Sequence, residues 1–205
     1  MIKLFIFDIG DVLLIGSRSL RDMANELGIN EDEFVSDYRR WNAALMDGYV
    51  STSDYYKHLE NKFSVRITSD LFVENYNPVV NKQLLDYIKE LRAKGLKAVL
   101  GSNTFACYDK WILNNIPEFY GLFDNKYLSC DIKRSKPEKS FFSYILNNEN
   151  VKPEEAVFID DREENITAAK SIGINAFRYE SVEKLKNDMK SLDLCYEIVN
   201  CLYRK

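Results

Sequence analysis

Short apolar segments alternate with amphipathic helical segments from about residue 79 to the end of the chain. The helical segments before the first and third of these apolar segments end at Gly95 and Gly173, which are typical helix stop signals. Parallel strands need a long crossover between them, and that crossover is usually a helix. The alternation therefore predicts an α/β fold with a doubly wound, Rossmann-like parallel sheet. Its predicted strands are LKAVLGSN (96–103), EAVFIDD (155–161) and INAFRY (174–179).

A block with helical periodicity separates this alternation from a first predicted strand, Leu4–Phe7. We therefore expect residues 1–16 and 79–205 to form the α/β core and residues 17–78 to form a helical block inserted after the first strand, which the family resemblance described below implies is a cap. Within this block, Tyr38, Trp41 and Leu45 lie on one helical stripe, which we assign to the interior of the block rather than to a sugar-binding surface. We assign Arg18, Arg39 and Arg40 to a solvated helix face. The apolar tail LCYEIVNCLYRK (194–205) predicts a final strand or helix on the core.

Composition excludes several classes of protein. The 205 residues carry a net charge of -4, which does not favour a nucleic-acid or membrane-surface partner. The sequence contains no apolar run near the roughly 20 residues that span a bilayer. Four dispersed cysteines without a CxxC pair favour free thiols in a reducing cytoplasm. The single histidine, His58, leaves little room for a histidine-based triad, and we expect it to have a surface role. The oligomeric state stays open.

Polar side chains follow the predicted strands at the edge where α/β sheets bind ligands. Carboxylate oxygens suit Mg²⁺, and a carboxylate beside that cation can attack phosphorus to form an aspartyl-phosphate. Hydroxyl, ammonium and backbone N–H groups bind the remaining phosphoryl oxygens. The sequence thus predicts a site for Mg²⁺-dependent phosphoryl transfer. Its candidate residues are Asp8, Ser102, Asn103, Lys136, Asp160 and Asp161.

Four motifs in chain order resemble those of the haloacid dehalogenase superfamily, whose members are mostly Mg²⁺-dependent phosphatases. FDIGDVLL places Asp8 at the nucleophile position, VLGSN carries Ser102, SKPEKSFF carries Lys136, and VFIDDREENITAAKSIG has the Asp-Asp-x-x-x-Asn form. The helical block matches the position of the family's small cap. The cap segment MDGYVSTSDYY also resembles the glucose-1-phosphate phosphatase-like branch.

The resemblance implies specific roles for these residues. Asp8, Ser102 and Lys136 would be catalytic. Phosphate would be bound by Ser102, by backbone N–H groups near Asn103, and by Lys136. The metal ligands would be Asp8, the backbone carbonyl of Gly10, and Asp161, with Asp160 at or just outside the coordination shell.

Gly10 departs from the family pattern. Most phosphatases of the family carry an aspartate two residues after the nucleophile, where it protonates the leaving oxygen and then activates water. Glycine can do neither. Asp11, a cap residue or a leaving group of low pKa are the possible replacements. For Asp11 itself we favour a role as a carboxylate that caps its own loop.

These inferences predict a Mg²⁺-dependent phosphomonoester hydrolase. Its substrate would be a small phosphorylated metabolite, with a sugar phosphate as the first choice, because the resemblance implies a small cap that closes over a small cavity. One alternative is a non-catalytic or regulatory binding protein that kept the scaffold, which Gly10 favours. Another alternative is a metal-independent dehalogenase, which the acidic pair Asp160–Asp161 disfavours.

Overall fold

The computed structural model describes residues 1–16, 19–74 and 76–192. The prediction for the tail at 194–205, which contains Cys195 and Cys201, lies outside the described residues, and so does Arg18. Within the described part of the chain, Cys107 is half-buried and Cys130 is buried, and both are free thiols. No helix in the same part is long and apolar enough to cross a membrane.

Among the described residues, five parallel strands form a sheet at the centre of the core, which confirms the predicted parallel α/β sheet. Its strands are β1 (Leu4–Phe7), β4 (Lys97–Ser102), β5 (Asn125–Leu128), β6 (Ala156–Asp160) and β7 (Asn175–Arg178), and a separate antiparallel pair is made of β2 (Leu14–Ile15) and β3 (Val79–Val80). The order across the sheet is β5-β4-β1-β6-β7. The strand order therefore reverses at β1, and ligands bind in α/β sheets at such a point.

Helices cover both faces of this sheet, since alternate residues of β1 point to opposite sides. Phe5 and Phe7 join a buried cluster with Leu84, whereas Leu4 and Ile6 join a second cluster with Phe141. The core helices are α4 (Lys82–Ala93), α5 (Ala106–Asn115), α6 (Ser129–Ile132), α7 (Lys139–Glu149), α8 (Glu163–Lys170) and α9 (Val182–Asp188).

Three helices form the inserted block: α1 (Leu20–Leu27), α2 (Glu31–Met46) and α3 (Thr52–Phe63). They pack around a third apolar cluster, where the ring of Tyr55 contacts the rings of Tyr38 and Trp41, with centroids 6.2 and 5.8 Å away. Leu45 is buried in the same cluster. The structure thus confirms that this stripe belongs to the interior of the block.

We propose residues 17–78 as the cap. The antiparallel pair of β2 and β3 lies at its two connections to the core, because Leu14 and Ile15 pair with Val80 and Val79. Asn81 fixes this pair to the core: its backbone N–H donates to the carbonyl of Leu13, and its side-chain amide donates to the carbonyl of Val12, at 2.9 and 2.8 Å.

His58 has a structural role, which corrects the expectation of a plain surface position. Its Nε2 lies 3.0 Å from each carboxylate oxygen of Asp37, and Asp37 is only 2% exposed. Lys62 also pairs with Asp37. The His58 ring packs on Trp41, with ring centroids 4.6 Å apart. This polar group therefore joins α2 to α3 inside the cap.

We expect Asp37→Asn to lower the free energy of unfolding by about 1–3 kcal/mol at pH 7, because it breaks a buried hydrogen-bond network. Burial tends to raise the pKa of Asp37, but hydrogen bonds from Lys62 and His58 outweigh burial and lower that pKa. A depressed carboxyl pKa stabilises the fold above the unfolded value near 4, and that stability is lost as the pH falls through the folded value.

Urea unfolding measures this effect, and the difference from wild type should shrink below about pH 4. Asp32→Asn is the matched control, since Asp32 is exposed on the same helix. It should cost less than about 1 kcal/mol. Equal losses in the two variants would contradict a special role for Asp37.

Candidate active site

Strand register brings Asp8 and the acidic pair to one edge of the sheet. Phe7 lies opposite Ile159 in the parallel pair of β1 and β6, so the next residues, Asp8 and Asp160, lie at the same level at the carboxyl end of the sheet. The N–H of Asp8 donates to the carbonyl of Ile159 at 3.0 Å. Asp161 follows directly, and one carboxylate oxygen from each of the three aspartates lies within 4.8 Å of the others. The predicted convergence of these carboxylates is present in the structure.

Lys136 lies between two of these carboxylates. Its Nζ is 2.8 Å from Asp8 Oδ1 and 2.7 Å from Asp160 Oδ2, and the residue is 4% exposed. Burial alone would lower the pKa of Lys136, but the charges of Asp8 and Asp160 outweigh it and raise that pKa. The side chain is therefore a buried ammonium rather than a solvated surface lysine.

The side chain of Asn103 holds the backbone of Lys136. Its Nδ2 donates to the carbonyl of Lys136, and the N–H of Lys136 donates to its Oδ1, both at 2.8 Å. From the sequence we expected only backbone N–H groups near Asn103 to take part in the site. The two hydrogen bonds of its side-chain amide were not predicted, because no local sequence pattern indicates them. The side-chain amide of Asn103 therefore fixes the backbone of Lys136.

Asp160 is fully buried and accepts hydrogen bonds on both oxygens. Oδ1 accepts from the N–H of Arg162 and from Asn165 Nδ2, each at 2.9 Å. Oδ2 accepts from Lys136 at 2.7 Å and from Asn165 Nδ2 at 3.0 Å. Burial tends to raise the pKa of Asp160, but the charge of Lys136 and these donors lower it. Asp160 thus anchors Lys136, and Asp161 is the acidic residue of the pair that lines the cavity.

The charges at this edge suit a divalent cation. Burial raises the pKa of Asp8 to about 6, with Lys136 opposing the rise and Asp160 adding to it. Burial and the charge of Asp160 also raise the pKa of Asp161. One lysine therefore does not balance three carboxylates. Hard carboxylate and carbonyl oxygens are the ligands that Mg²⁺ prefers, so this donor set fits that ion.

A cavity of about 680 Å³ lies between this edge and the inserted helices. Its core side includes Asp8, Gly10, Ser102, Asn103, Thr104, Lys136 and Asp161. Its cap side includes Leu20, Met23, Tyr38, Arg39, Asn42, Ala43, Met46, Phe72 and Tyr76. Residues of the core and residues of the inserted block therefore both line the site.

One face of α2 borders the cavity. Its position changes the expectation for Tyr38 and the expectation for the two arginines that follow it. Tyr38 packs in the cap interior and also reaches the cavity, so it belongs to both regions. Arg39 is exposed and lines the cavity mouth, whereas Arg40 borders a separate surface depression with Asp32 and Lys62. The two arginines therefore do not share one solvated face.

Aromatic rings form a continuous series along another wall of the cavity. Phe72 contacts Phe105 with ring centroids 4.7 Å apart, Phe105 contacts Tyr108 at 5.9 Å, and Tyr108 contacts Tyr76 at 4.8 Å. Phe72 and Tyr76 precede β3, whereas Phe105 and Tyr108 lie at the start of α5. The series thus joins the proposed cap to the core.

Gly10 and Asp11 lie on the loop after β1. Among the described glycines, positive φ occurs at positions 16, 28, 48, 95 and 173 and so not at Gly10, which means that its backbone accepts other residue types. Asp11 has a φ of 53°, and its Oδ1 accepts from the N–H of Gly16 at 3.0 Å. The loop-capping role of Asp11 is confirmed, although the residue also lines the cavity.

A sequence model of the haloacid dehalogenase-like hydrolases matches residues 2–173. The chain belongs to this family. It is 28% identical to D-ribitol-5-phosphate phosphatase from Bacteroides thetaiotaomicron over 196 residues, which is 88% of this chain and 93% of the relative. It is 27% identical to glyceraldehyde 3-phosphate phosphatase from Methanocaldococcus jannaschii over 200 residues, which is 87% of this chain and 85% of the relative.

Other similarities are more distant or partial. The chain is 21% identical to drimenol cyclase drtB from Aspergillus calidoustus over 94% of its own length, but it spans only 37% of that protein. A haloacid dehalogenase family enzyme from Bacteroides thetaiotaomicron, solved as a complex with magnesium and inorganic phosphate, superposes with a TM-score of 0.71 at 21% identity over 100% of both chains. This superposition shows the shared α/β fold.

We expect Lys136→Met to lower the free energy of unfolding by about 3 kcal/mol in metal-free buffer, because Asp8 and Asp160 would then be buried without a cation. Added Mg²⁺ should recover part of this loss, since it restores positive charge. Thermal and urea unfolding with and without Mg²⁺ measure both effects. Lys139→Met is the control, because Lys139 is exposed at the start of α7. Similar losses in both variants would contradict the buried ion cluster.

Proposed function

We propose that the chain is a Mg²⁺-dependent phosphomonoester hydrolase that forms an aspartyl-phosphate on Asp8. The observation that carries this proposal is the placement of Asp8, Lys136 and Asp161 on one side of a cavity between the core and the inserted helices. Ser102 borders the same cavity and is 2% exposed. The phosphatase relatives and family membership support the same reaction class.

Asp8, the backbone carbonyl of Gly10 and Asp161 would hold the cation, and Asp160 would support them from behind. When bound, Mg²⁺ supplies positive charge that offsets the repulsion between Asp8 and a phosphoryl group. A relative of the same fold was solved with magnesium and inorganic phosphate, which supports this choice of ion.

Asp8 is oriented for attack by two donors. The N–H of Ile9 and the ammonium of Lys136 both donate to Asp8 Oδ1 at 2.8 Å, so we assign Oδ2 as the attacking oxygen. A bond forms between Oδ2 and phosphorus while the bond from phosphorus to the leaving oxygen breaks. Water then attacks the phosphorus, which releases inorganic phosphate and restores the carboxylate.

The phosphoryl oxygens would be held by the hydroxyl of Ser102, the ammonium of Lys136 and the backbone N–H of Asn103. Donors that are fixed before the reaction stabilise the charge that develops on these oxygens. Lys136 is held through Asn103 and Asp160, so its ammonium is placed without a conformational search. The residues that bind phosphate therefore also fix one another.

A small phosphorylated metabolite is the proposed substrate, and a sugar phosphate is the first choice. Polar groups of Tyr38, Arg39, Asn42 and Tyr76 border the cavity on the cap side, where the leaving group would lie. The named substrates of the two phosphatase relatives are a polyol phosphate and a short sugar phosphate. More specifically, we propose that the chain belongs to the glucose-1-phosphate phosphatase-like branch of the family.

We expect the purified chain to hydrolyse at least one member of a panel of sugar phosphates and nucleotides only when Mg²⁺ is present. EDTA should abolish turnover because Asp8 would face the phosphoryl group without a compensating cation. Asp8→Asn should also be inactive, since an amide is not an anionic nucleophile. Released phosphate is measured, and circular dichroism verifies the fold of the variant. Turnover that persists in EDTA or in Asp8→Asn would refute the mechanism.

We expect the rate to depend strongly on the pKa of the leaving group, because Gly10 supplies no proton donor. An aryl phosphate should be cleaved much faster than an alkyl phosphate. Gly10→Asp should raise alkyl phosphate hydrolysis selectively, by up to about 10²–10⁴-fold if the new carboxyl acts as general acid.

Gly10→Asn is the matched control, because it has nearly the same shape and no acidic proton. A wild type with little dependence on the leaving group would show that another residue donates the proton. If wild type cleaved neither ester and Gly10→Asp restored activity, the chain would be a phosphatase that has lost its activity through the glycine at position 10.

A further inference from the structure

The hydroxyl of Ser129 joins two segments that border the cavity. Ser129 begins α6 directly after β5, and β5 pairs with β4 so that Leu128 lies opposite Ser102. This register places Ser129 beside the phosphate loop, which we define as residues 102–104. The residue is 0% exposed. Its hydroxyl must therefore find its partners inside the protein.

Ser129 accepts a hydrogen bond from the core and donates one to α2. The N–H of Thr104 donates to Ser129 Oγ at 3.0 Å, and Oγ donates to the carbonyl of Met46 at 2.5 Å. The carbonyl of Thr104 is a more distant neighbour, 3.3 Å from Oγ. Met46 is the last residue of α2, where helix carbonyls have no partner within the helix. One hydroxyl thus satisfies a group of the phosphate loop and a group of the cap.

The end of α2 docks closely on α6 at the same place. Gly48 has a φ of 63°, and a Cβ at this position would lie 2.6 Å from the carbonyl oxygen of Cys130. Lys133 Nζ donates to the carbonyl of Gly48 at 2.7 Å. The two backbones therefore approach each other with no room for a side chain at Gly48.

We propose that Ser129 is a positioning residue that couples the docking of α2 on α6 to the alignment of the phosphate loop. The inference rests on the proposed function, because it takes residues 102–104 to bind phosphate. Since the N–H of Thr104 is committed to Ser129, the phosphate loop would offer phosphate the hydroxyl of Ser102 and the N–H of Asn103, beside the ammonium of Lys136. If the end of α2 shifts, the hydrogen bonds through Ser129 shift the phosphate loop with it. Small misplacements of binding groups reduce rates strongly.

Two substitutions of Ser129 test the proposal. Ser129→Ala removes both hydrogen bonds, and Ser129→Cys keeps nearly the same volume but has a weak donor and acceptor. We expect either change to weaken the affinity for inorganic phosphate with Mg²⁺ present by about tenfold. We expect kcat/KM for p-nitrophenyl phosphate to fall by about 10- to 100-fold. Calorimetric titration of the folded protein measures the phosphate affinity. The cysteine variant decides the outcome if the alanine variant does not fold.

Ser140→Ala is the matched control, because Ser140 is exposed and its hydroxyl donates to the nearby side chain of Glu138. Its phosphate affinity should equal that of wild type. A merely structural Ser129 would lower the melting temperature of its variants and leave the phosphate affinity of the folded protein unchanged. That result would overturn the proposal.

Gly48→Ala tests the coupling itself. This substitution pushes α2 away from α6 without changing any atom of Ser129 or of the phosphate loop. We expect a severalfold weaker phosphate affinity, and an unchanged affinity would overturn the coupling. Hydrolysis is not needed for this measurement. A wild type that binds phosphate but cleaves no ester would refute the proposed function, while the phosphate affinities of the variants would still decide the role of Ser129.

Discussion

The ammonium of Lys136 is the interaction on which the rest of the site depends. It lies within 2.8 Å of carboxylate oxygens on two different strands, and it is almost completely buried. Asp8 and Asp160 lie side by side at the carboxyl end of the sheet, and their charges would repel each other without the ammonium of Lys136. The residues around this ion cluster serve to hold it: Asn103 fixes the backbone of Lys136, and Asn165 fixes Asp160. The polar interior of the site is thus one connected unit rather than a set of separate side chains.

The cavity above this unit is formed by two parts of the chain that share apolar contacts. The aromatic series that begins at Phe72 and ends at Tyr76 passes through Phe105 and Tyr108 at the start of α5. The third apolar cluster likewise includes Phe105 together with residues of the inserted helices. The shape of the substrate space therefore depends on how the inserted helices dock, and the charge of the site depends on the sheet.

The residues of the site that stand at strand ends could be predicted from the sequence, because their positions follow from the order of the strands. Asp8, Ser102 and Asp160 each stand at or just past the end of a predicted strand, so a parallel sheet brings them together. β5 was not predicted, because the first half of NKYL is polar and exposed at the sheet edge. α5 begins at Ala106 without a side-chain cap and gave no start signal. The pairing of His58 with Asp37 and the two contacts of Ser129 join residues at least 21 positions apart. Local periodicity carries no information about such contacts.

The short pair of β2 and β3 has a mechanical consequence. The chain leaves the core and returns to it through two strands that are hydrogen-bonded to each other and fixed to the core by Asn81. The two ends of the proposed cap are therefore held together at one point of the core, on the loop that follows Asp8.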